Sequence, residues 1–286
     1  MKIKKEVKRT GSDVRVLGPG GFFGDVLHKE QVCGLVLSVL KHDRAKKLPK
    51  HMHQLAFFNL LLDGDYVEYF SRESAPLKPF TTIFHPAGVE HRDEIGPKGL
   101  RIFSIELQEH WLERIREHGG LPDSSMDLRG GEMTCLATRL YREYLERDSC
   151  SSLAIEGLVL EMLALVARTK DIYERRPPLW LKQLIERLHE NFLDDLTVQG
   201  LALELGIHPI YLSRTFRQFH HLTIGTYLRR LRVHFAMNQL LNSHLEIASV
   251  AETAGFADQS HFTRLFKELT GMTPATFRQV STTVRR

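Results

Sequence analysis

The pattern of hydrophobic and polar positions changes once along the chain, near residue 109. Upstream, short apolar or alternating runs are separated by glycine, proline and aspartate: "CGLVLSVLKH", "QLAFFNLLL", "DYVEYF", "TTIFHPAG" and "GLRIFSIEL". Runs of this length with such boundaries are typical of β-strands, and no long helical pattern interrupts them. The pattern predicts a small antiparallel barrel or sandwich over residues 13–107.

From residue 109 the period becomes helical, beginning with "QEHWLERIREHG". The next segment, "GEMTCLATRLYREYLERD", places Met133, Leu136, Leu140, Tyr144 and Leu145 on one face of a helix. The segment "SLAIEGLVLEMLALVARTK" follows with a broader apolar surface. We predict that these two segments form a helical hairpin, which either makes a dimer surface or packs only on its own barrel.

A linker is predicted where "YERRPPLW" ends the helical pattern. Two adjacent prolines after a charged run are typical of a linker, which places the domain boundary near residues 176–178. Everything after this boundary has the pattern of helices separated by short turns.

Composition limits the class of protein. The 286 residues suffice for two domains, and 42% apolar with 26% charged residues is typical of a soluble globular protein. A net charge of +4 permits a polyanionic partner without demonstrating one. Cys33, Cys135 and Cys150 form no C-x-x-C pair, so we expect neither a disulfide framework nor a cysteine zinc site.

The start "MKIKKEVKRT" lacks the apolar core of a signal peptide. Because Glu156 and Glu161 interrupt the most apolar stretch, we expect no membrane span. With no disulfide framework and no signal peptide expected, the predicted location is the reducing cytoplasm.

The helical region contains an internal repeat. Two segments match at an offset of 49 before a turn and 50 after it: Ala202 with Ala251, Gly206 with Gly255, Leu212 with Phe262, Arg214 with Arg264, Phe216 with Phe266, and Arg217 with Lys267. The second copy therefore has one extra residue in its turn. An alanine lets two helices cross closely, and a glycine accepts the positive φ of a tight turn. The repeat predicts a helix-turn-helix unit present twice.

Each second helix of the repeat has two faces. The i,i+4 pairs Leu212 with Phe216 and Phe262 with Phe266 are predicted to face the core. The opposite face carries Ile210, Ser213, Arg214 and Arg217 in the first copy, and Gln259, Ser260, Thr263, Arg264 and Lys267 in the second. Arginine pairs with guanine and glutamine with adenine in a major groove, which indicates DNA contacts. The alternative is a solvated face with ordinary basic residues.

Between the copies, "TIGTYLRRLRVHFAMNQLLNS" predicts an uninterrupted helix from Ile224 to Asn242, with Thr223 as its N-cap. Its length is about 28 Å, against about 34 Å for one turn of DNA. Such a rod could hold two recognition helices in successive major grooves. Arg229, Arg230 and Arg232 would contact phosphates or pair with carboxylates of their own domain.

Three motifs of this region resemble the AraC/XylS family of bacterial transcription regulators: "LALELGIHPIYLSRTFRQ", "YLRRLRVHFAMNQLL" and "VAETAGFADQSHFTRLFKELTGMTPATFR". The resemblance covers residues 178–282. It implies two helix-turn-helix motifs joined by a helix and bound to double-stranded promoter DNA. It also places the family's base-contacting positions on Ile210, Arg214, Ser260 and Arg264.

The first copy departs from the family pattern at three residues. Gly200 lies inside a predicted helix, where glycine costs about 1 kcal/mol relative to alanine. His208 and Pro209 occupy a helix start where the family often has serine, although proline is tolerated at a first helical position. We expect the first copy to have its own specificity or to bind less tightly.

The histidines of the front region form a second candidate site. "HMHQLAFFNLLLDG" and "HPAGVEH" resemble the two cupin motifs, with His51, His53 and His91 at the histidine positions. Where metal-binding cupins have a glutamate, this chain has Phe57 or Phe58. We expect a metal-free barrel without a cofactor, the alternative being a three-histidine site for Zn, Fe or Mn. The candidate residues for a small ligand in the barrel are His51, His53, Phe57, Tyr66 and His91.

These observations predict an α+β protein with two domains. The predicted segments are a cupin-like sensor barrel (1–108), a helical hairpin that is the candidate dimer surface (109–174), a linker (175–180) and an all-α domain with two helix-turn-helix motifs (181–286). The predicted function is transcription regulation, with activation preferred over repression and no catalysis. The expected partners are promoter DNA, a small-molecule effector, a second copy of the chain and RNA polymerase, with no membrane. Two alternatives remain: a metal-dependent cupin enzyme with a DNA-binding appendage, and a DNA-binding protein whose front domain only dimerises.

Overall fold

A computed structural model describes residues 14–70, 73–77, 79, 81–128, 131–174, 177–220 and 222–284. By its internal contacts the chain divides into two compact units. One comprises residues 1–129 and 136–170, and the other comprises residues 130–135 and 171–286. We call them the sheet unit and the helical unit, after the structure that predominates in each.

The strands all lie in the sheet unit. In chain order they are β1 (Arg15–Leu17), β2 (Asp25–Val32), β3 (Leu35–His42), β4 (Lys46–Lys47), β5 (His51–His53), β6 (Ala56–Phe70), β7 (Glu73–Leu77), β8 (Thr82–His85), β9 (Arg92–Leu107) and β10 (Met126–Asp127). The main sheet is antiparallel and follows the order β10-β8-β6-β9-β3-β2, with β4 on β9 and β7 on β6. The strands β1 and β5 pair separately and in parallel, unlike the all-antiparallel arrangement that we expected.

The strands differ from the sequence prediction in several places, and β1, β4, β7 and β10 were not predicted. The segments "QLAFFNLLL" and "DYVEYF", predicted as separate strands, form the single strand β6. Its pairing with β9 is irregular at Leu61/Asp63 and at Gly64/Tyr66. Such irregularities bend a strand without ending it, so the polar break marks a bend rather than a turn. β9 begins earlier than predicted, at Arg92. β2 was not predicted, because most of its residues are exposed and it has no alternating pattern.

The helices in chain order are α1 (Glu109–Arg116), α2 (Gly131–Leu145), α3 (Ser151–Glu174), α4 (Leu179–Glu190), α5 (Val198–Glu204), α6 (Pro209–His220), α7 (Ile224–Asn242), α8 (Ile247–Thr253), α9 (Gln259–Thr270) and α10 (Pro274–Val284). On α2, the predicted apolar face is buried except for Leu145, which is half-buried. Whether this face makes a dimer surface stays a prediction.

The structure describes only part of the predicted linker, residues 175–180. Its first two residues lie outside the described part of the chain. Its last two are helical, because Pro178 is the N-cap of α4 with a φ of −54°. A proline needs no hydrogen-bond partner for its nitrogen at a helix start. Among the described helices, none combines the length and the hydropathy needed to cross a membrane.

The helical unit is built around α7. One buried cluster joins α4, α5, α6 and the first half of α7, including Leu184, Leu212, Phe216, Leu228 and Leu231. The helices α8, α9 and α10 contact α7 as well. This packing fixes the two copies of the repeat on one common helix.

Candidate functional site

The two copies of the repeat form two helix pairs, α5 with α6 and α8 with α9, and their turns are alike. Gly206 and Gly255 have φ values of 66° and 76°, as predicted. After each glycine, the next amide donates a hydrogen bond back to the repeated alanine: Ile207 to Ala202 and Phe256 to Ala251, both at 3.0 Å. This six-to-one bond is typical of the Schellman motif at a helix end. Matched residues therefore make matched turns.

The second helix of each pair begins with a side-chain cap. Pro209 is the first residue of α6, and His208 Nδ1 accepts a bond from the Ile210 amide at 3.3 Å. In α9, Asp258 Oδ1 accepts a bond from the His261 amide at 2.7 Å. The unusual His208–Pro209 pair thus makes a capped helix start.

The sequence suggested that Gly200 lies in the interior of a helix, but the structure places it elsewhere. It lies in the first turn of α5, where its amide donates to Thr197 Oγ1 at 3.1 Å. The cost of about 1 kcal/mol applies to interior positions, so it overstates the effect here.

The faces of α6 and α9 divide as predicted. Leu212, Phe216, Phe262 and Phe266 have no exposed surface. The other predicted residues are on the accessible side: Ile210, Ser213, Arg214, Arg217, Gln259, Ser260, Arg264 and Lys267 are exposed, and Thr263 is half-buried. Ile210 is 71% exposed, so its apolar surface is accessible to a partner.

The arginines of the helical unit fall into two groups. Arg187 pairs with Glu204 at 3.2 Å, and Arg278 donates to the Leu245 carbonyl oxygen at 2.6 Å. Within the part of the chain that the structure describes, Arg214, Arg217 and Arg264 make no ion pair or side-chain hydrogen bond. Among the described arginines of the helical unit, those without an internal partner are therefore the ones on α6 and α9.

The helix α7 has the predicted bounds, and Thr223 Oγ1 accepts a bond from the Thr226 amide at 3.1 Å. Arg232 has a role that the sequence did not indicate. It donates to the carbonyl oxygens of Phe192 and Gly255, both at 2.9 Å, and of Asp194 at 3.2 Å. Arg232 thereby joins the segment before α5 to the turn before α9.

In the sheet unit, His51, His53 and His91 come together as the spacing predicted. All three are buried, and their ring centroids are 4.2 to 5.6 Å apart. His51 and His91 also exchange backbone hydrogen bonds of 3.0 and 2.9 Å.

The sequence did not reveal three further members of this cluster, namely Glu68, His85 and Asp93. His85 Nε2 lies 3.3 Å from Glu68 Oε1, and His51 Nε2 lies 3.7 Å from Asp93 Oδ2. The carboxylates are thus present, but not at position 57 or 58, where the cupin motif has its glutamate. One signal was available, since Glu68 shares a strand face with Tyr66, two positions before it, and a face that carries a large aromatic side chain is often directed inward.

A cavity of about 30 Å³ adjoins the cluster and is bordered by His51, His53, Tyr66, His91 and Asp93. By this measure a water molecule needs about 10–15 Å³, so the cavity holds about two. Of the predicted ligand residues, Phe57 does not border it. The ring of Phe57 stacks on His85 instead, with centroids 4.4 Å apart.

Burial controls the protonation of these groups. It lowers the pKa of His51, His85 and His91 to about 4, and the neighbouring histidines add to the effect at His51 and His91. Burial, and then the nearby Glu68, raise the pKa of Asp93 to about 7. At neutral pH the three imidazoles are therefore uncharged.

Comparison with known proteins identifies the class of protein to which the two helix pairs belong. The profile of a family described as "Helix-turn-helix domain" matches residues 201–280, which contain α6, α8 and α9 in full and the second part of α5. AdaA of Bacillus subtilis, a bifunctional transcriptional activator and DNA repair enzyme, is 35% identical over 40% of this chain and 54% of its own length. PqrA of Proteus vulgaris, a probable transcription factor, is 33% identical over 36% of this chain and 82% of its own.

A third relative also covers most of the sheet unit. The regulator YpdC of Escherichia coli is 28% identical over 77% of this chain and 80% of its own length. The chain spans about half the length of AdaA. The class is thus that of proteins with a helix-turn-helix domain. The chain belongs to the AraC/XylS family of transcription regulators.

Proposed function

We propose that the protein is a sequence-specific DNA-binding transcription regulator in which α6 and α9 are the recognition helices of two helix-turn-helix motifs. The main support is the division of the arginines, because Arg214, Arg217 and Arg264 alone combine exposure with a position on these helices. A basic side chain without an internal partner is available for a phosphate or a base edge. A solvated face of ordinary basic residues would not require the same positions in both copies.

The spacing of the two motifs follows from α7. Its 19 residues make a rod of about 28 Å, which is close to one turn of DNA, about 34 Å. Two recognition helices fixed on such a rod would enter successive major grooves on one face of the duplex. In this arrangement Ile210 and Arg214 contact bases in one groove, and Ser260 and Arg264 contact bases in the next. Ser213, Arg217, Gln259, Thr263 and Lys267 extend the two contact surfaces.

The sheet unit is the sensor in this proposal. A cupin-like barrel over residues 1–108 binds a small effector, residues 109–174 form the dimer contact, and the linker 175–180 transmits the response to residues 181–286. The protein activates transcription with RNA polymerase in the cytoplasm and catalyses no reaction. Effector binding would shift the relative placement of the DNA-binding domains. If a longer linker left the effector response unchanged, this mechanism would be wrong.

The DNA-binding proposal is tested by replacing Arg264 with alanine. Genome-wide mapping of bound sites first supplies the target duplex. On that duplex we expect Arg264→Ala to weaken binding by about 1–3 kcal/mol and to relax the base preference at one position. Fluorescence anisotropy at fixed salt measures the affinity. Lys182→Ala is the control, because it removes an exposed positive charge from α4 and not from a recognition helix.

Random DNA separates the two roles of Arg264. A base contact predicts a larger loss on the target than on random duplex, whereas a phosphate contact predicts equal losses on both. An unchanged affinity for the target would remove α9 from the proposed interface.

A further inference from the structure

Glu68, His85 and His91 form a buried group of ligand atoms that the DNA-binding proposal does not use. Each residue is at most 3% exposed, and one ligand atom from each lies within 4.8 Å of the other two. His85 Nε2 and Glu68 Oε1 are 3.3 Å apart. Burying a carboxylate beside imidazoles is costly unless a cation or a proton balances the lone pairs.

Hydrogen bonds on the far side of the rings fix which nitrogen faces the group. His91 Nδ1 lies 3.2 Å from the Val89 carbonyl oxygen. A carbonyl oxygen only accepts, so Nδ1 carries the hydrogen and Nε2 keeps its lone pair. His85 Nδ1 lies 2.9 Å from Ser125 Oγ, which accepts in the same tautomer. Metal-binding histidines usually have such a bond at the other ring nitrogen.

The carboxylate is held as well. Tyr66 donates its hydroxyl hydrogen to Glu68 Oε2 at 3.3 Å, which leaves Oε1 as the oxygen that faces His85. Each of the three residues thus has one polar atom held by a neighbour and a second atom directed at the other two.

We propose that Glu68 Oε1, His85 Nε2 and His91 Nε2 bind one divalent first-row transition metal ion, such as Zn²⁺. Two ligands at about 2.0–2.2 Å from zinc lie roughly 3.3–3.5 Å apart in tetrahedral geometry. The separation of His85 and Glu68 already has this value, and His91 moves closer when the ion binds. Two imidazoles and one carboxylate suit Zn²⁺ or Fe²⁺ and leave at least one coordination position open. His91 also borders the cavity, which has room for a coordinated water molecule.

The overlapping set of His51, His53 and His91 is the less favourable one. It contains no carboxylate to balance the charge of the ion. Among the described residues, His53 Nδ1 is buried and makes no hydrogen bond, so no hydrogen bond at that nitrogen directs the other one toward an ion. The metal-free barrel expected from the sequence depended on the absence of a carboxylate at positions 57 and 58, and Glu68 removes that objection.

Metal binding by the full chain tests the proposal. The protein is stripped with EDTA, dialysed against Zn²⁺ in a buffer with a weak chelator that keeps surface histidines empty, and analysed for metal. We expect one ion per chain. Co²⁺ in place of Zn²⁺ supplies a visible absorption band for affinity measurements. Thermal unfolding should shift upward with Zn²⁺ and not in EDTA, because the ion binds only the folded state.

Four variants locate the ion. Loss of a residue that only hydrogen-bonds to a metal ligand lowers metal affinity about 10- to 100-fold. Glu68→Gln and His85→Gln each remove a ligand itself, so each should lower the Co²⁺ affinity by at least that much. Ser125→Ala, which leaves all three ligands in place, should lower it about 10-fold through the orientation of His85. His53→Gln is the matched control in the same buried cluster and should keep the wild-type affinity. Circular dichroism in EDTA checks that each variant is folded.

Two results would overturn the proposal. One is a wild-type chain that binds neither Zn²⁺ nor Co²⁺ at one ion per molecule. The other is a folded His53→Gln variant that loses the ion while Glu68→Gln or Ser125→Ala keeps it, because the ion would then lie in the three-histidine set. No DNA is present in these measurements, so either result leaves the DNA-binding proposal untouched.

Discussion

Arg229 and Arg232 lie one turn apart on α7, yet the fold uses them differently. Arg229 is exposed and donates to Thr226 in its own turn at 3.1 Å. Arg232 donates to carbonyl oxygens that lie between 23 and 40 positions away. Spacing along the sequence predicted the helix that carries both residues. It could not predict the partners of Arg232, because distant backbone oxygens approach only through tertiary packing.

The same limit explains which residues of the buried cluster were predicted. His51, His53 and His91 stand in short local motifs, so their types and spacing sufficed. Glu68 and His85 are 17 positions apart in the chain and are not paired in the sheet, because His85 lies opposite Phe57. They meet only through the tertiary fold of the sheet unit, in which β6 is irregular between Leu61 and Tyr66. A search for a carboxylate near position 57 could not find an acid that the sheet brings in from further along the strand.

At the residue scale we predict that Arg232→Lys destabilises the helical unit by about 1–3 kcal/mol. A lysine keeps the charge but lacks the planar fork that reaches several acceptors, and carbonyl oxygens are left without a donor. Urea denaturation followed by circular dichroism measures the loss, and hydrogen exchange in residues 224–242 localises it.

Arg229→Lys is the matched control for this prediction. It makes the same chemical change one turn away, at an exposed residue, and should alter stability by less than about 0.5 kcal/mol. Equal effects of the two substitutions would show that the bonds of Arg232 to the three carbonyl oxygens add nothing to stability.

At the scale of elements, the helix pairs were predictable and parts of the sheet were not. Each helix pair is encoded within about 20 residues, by a small residue, a glycine and an i,i+4 apolar pair. β2 pairs only with β3 in the described sheet, and its exposed residues have no pattern to distinguish them from a loop. The prediction of two strands in place of β6 was wrong, because polar residues interrupt an apolar run in the same way at a turn and at a bend within one strand. Local chemistry specifies turns and caps, whereas strand pairing depends on distant partners.

The two turn glycines give a prediction at this scale. Gly206→Ala and Gly255→Ala both force alanine into a positive φ, which costs about 1–2 kcal/mol. Gly255→Ala should cost more than Gly206→Ala. A Cβ at residue 255 would lie 3.3 Å from Arg232 Cζ, while a Cβ at residue 206 would meet nothing within 4 Å.

Urea unfolding of the two glycine variants provides the comparison. Combining Gly255→Ala with Arg232→Ala should remove the additional cost, because the crowding atom is then absent. If Gly206→Ala is as destabilising as Gly255→Ala, the contact of the new Cβ with Arg232 adds no cost, and this prediction is wrong.

At the scale of the whole molecule, the sequence predicted a domain boundary near the prolines at 177 and 178, while the change of period near residue 109 lies inside the sheet unit. The contact boundary falls at residues 170 and 171, a few positions before the prolines. Local signals can mark where a chain changes character. They do not define which unit a boundary helix belongs to, because that depends on contacts across the fold. The predicted linker and the roles of the segments before it stay predictions.

The fixed length of α7 predicts how binding depends on DNA spacing. Inserting 5 base pairs between the two recognised segments turns the second groove to the opposite face, and the affinity should fall to that of one recognition helix. Inserting 10 base pairs restores the face but moves the groove about 34 Å further, beyond the reach of a rod of about 28 Å. We therefore expect neither insertion to bind as the native site does.

Binding to the three duplexes is compared by fluorescence anisotropy with the wild-type chain and with Arg214→Ala. The variant should lose affinity for the native duplex and change little on either insertion, if α9 carries the residual binding. Recovery of full affinity with the 10-base-pair insertion would contradict a rigid α7, since it would require the two helix pairs to separate.

The shared helix α7 has a consequence for how such a protein changes over generations. Leu228 and Leu231 complete the core of the first helix pair, and the same helix contacts α8, α9 and α10. Removing either copy would strip one side of α7, so recombination cannot shorten or extend this duplication as it can an array of independent modules. In the proposed mode of DNA binding, new target preferences would arise by substitution at the exposed positions of α6 and α9, where a change of side chain leaves the scaffold intact.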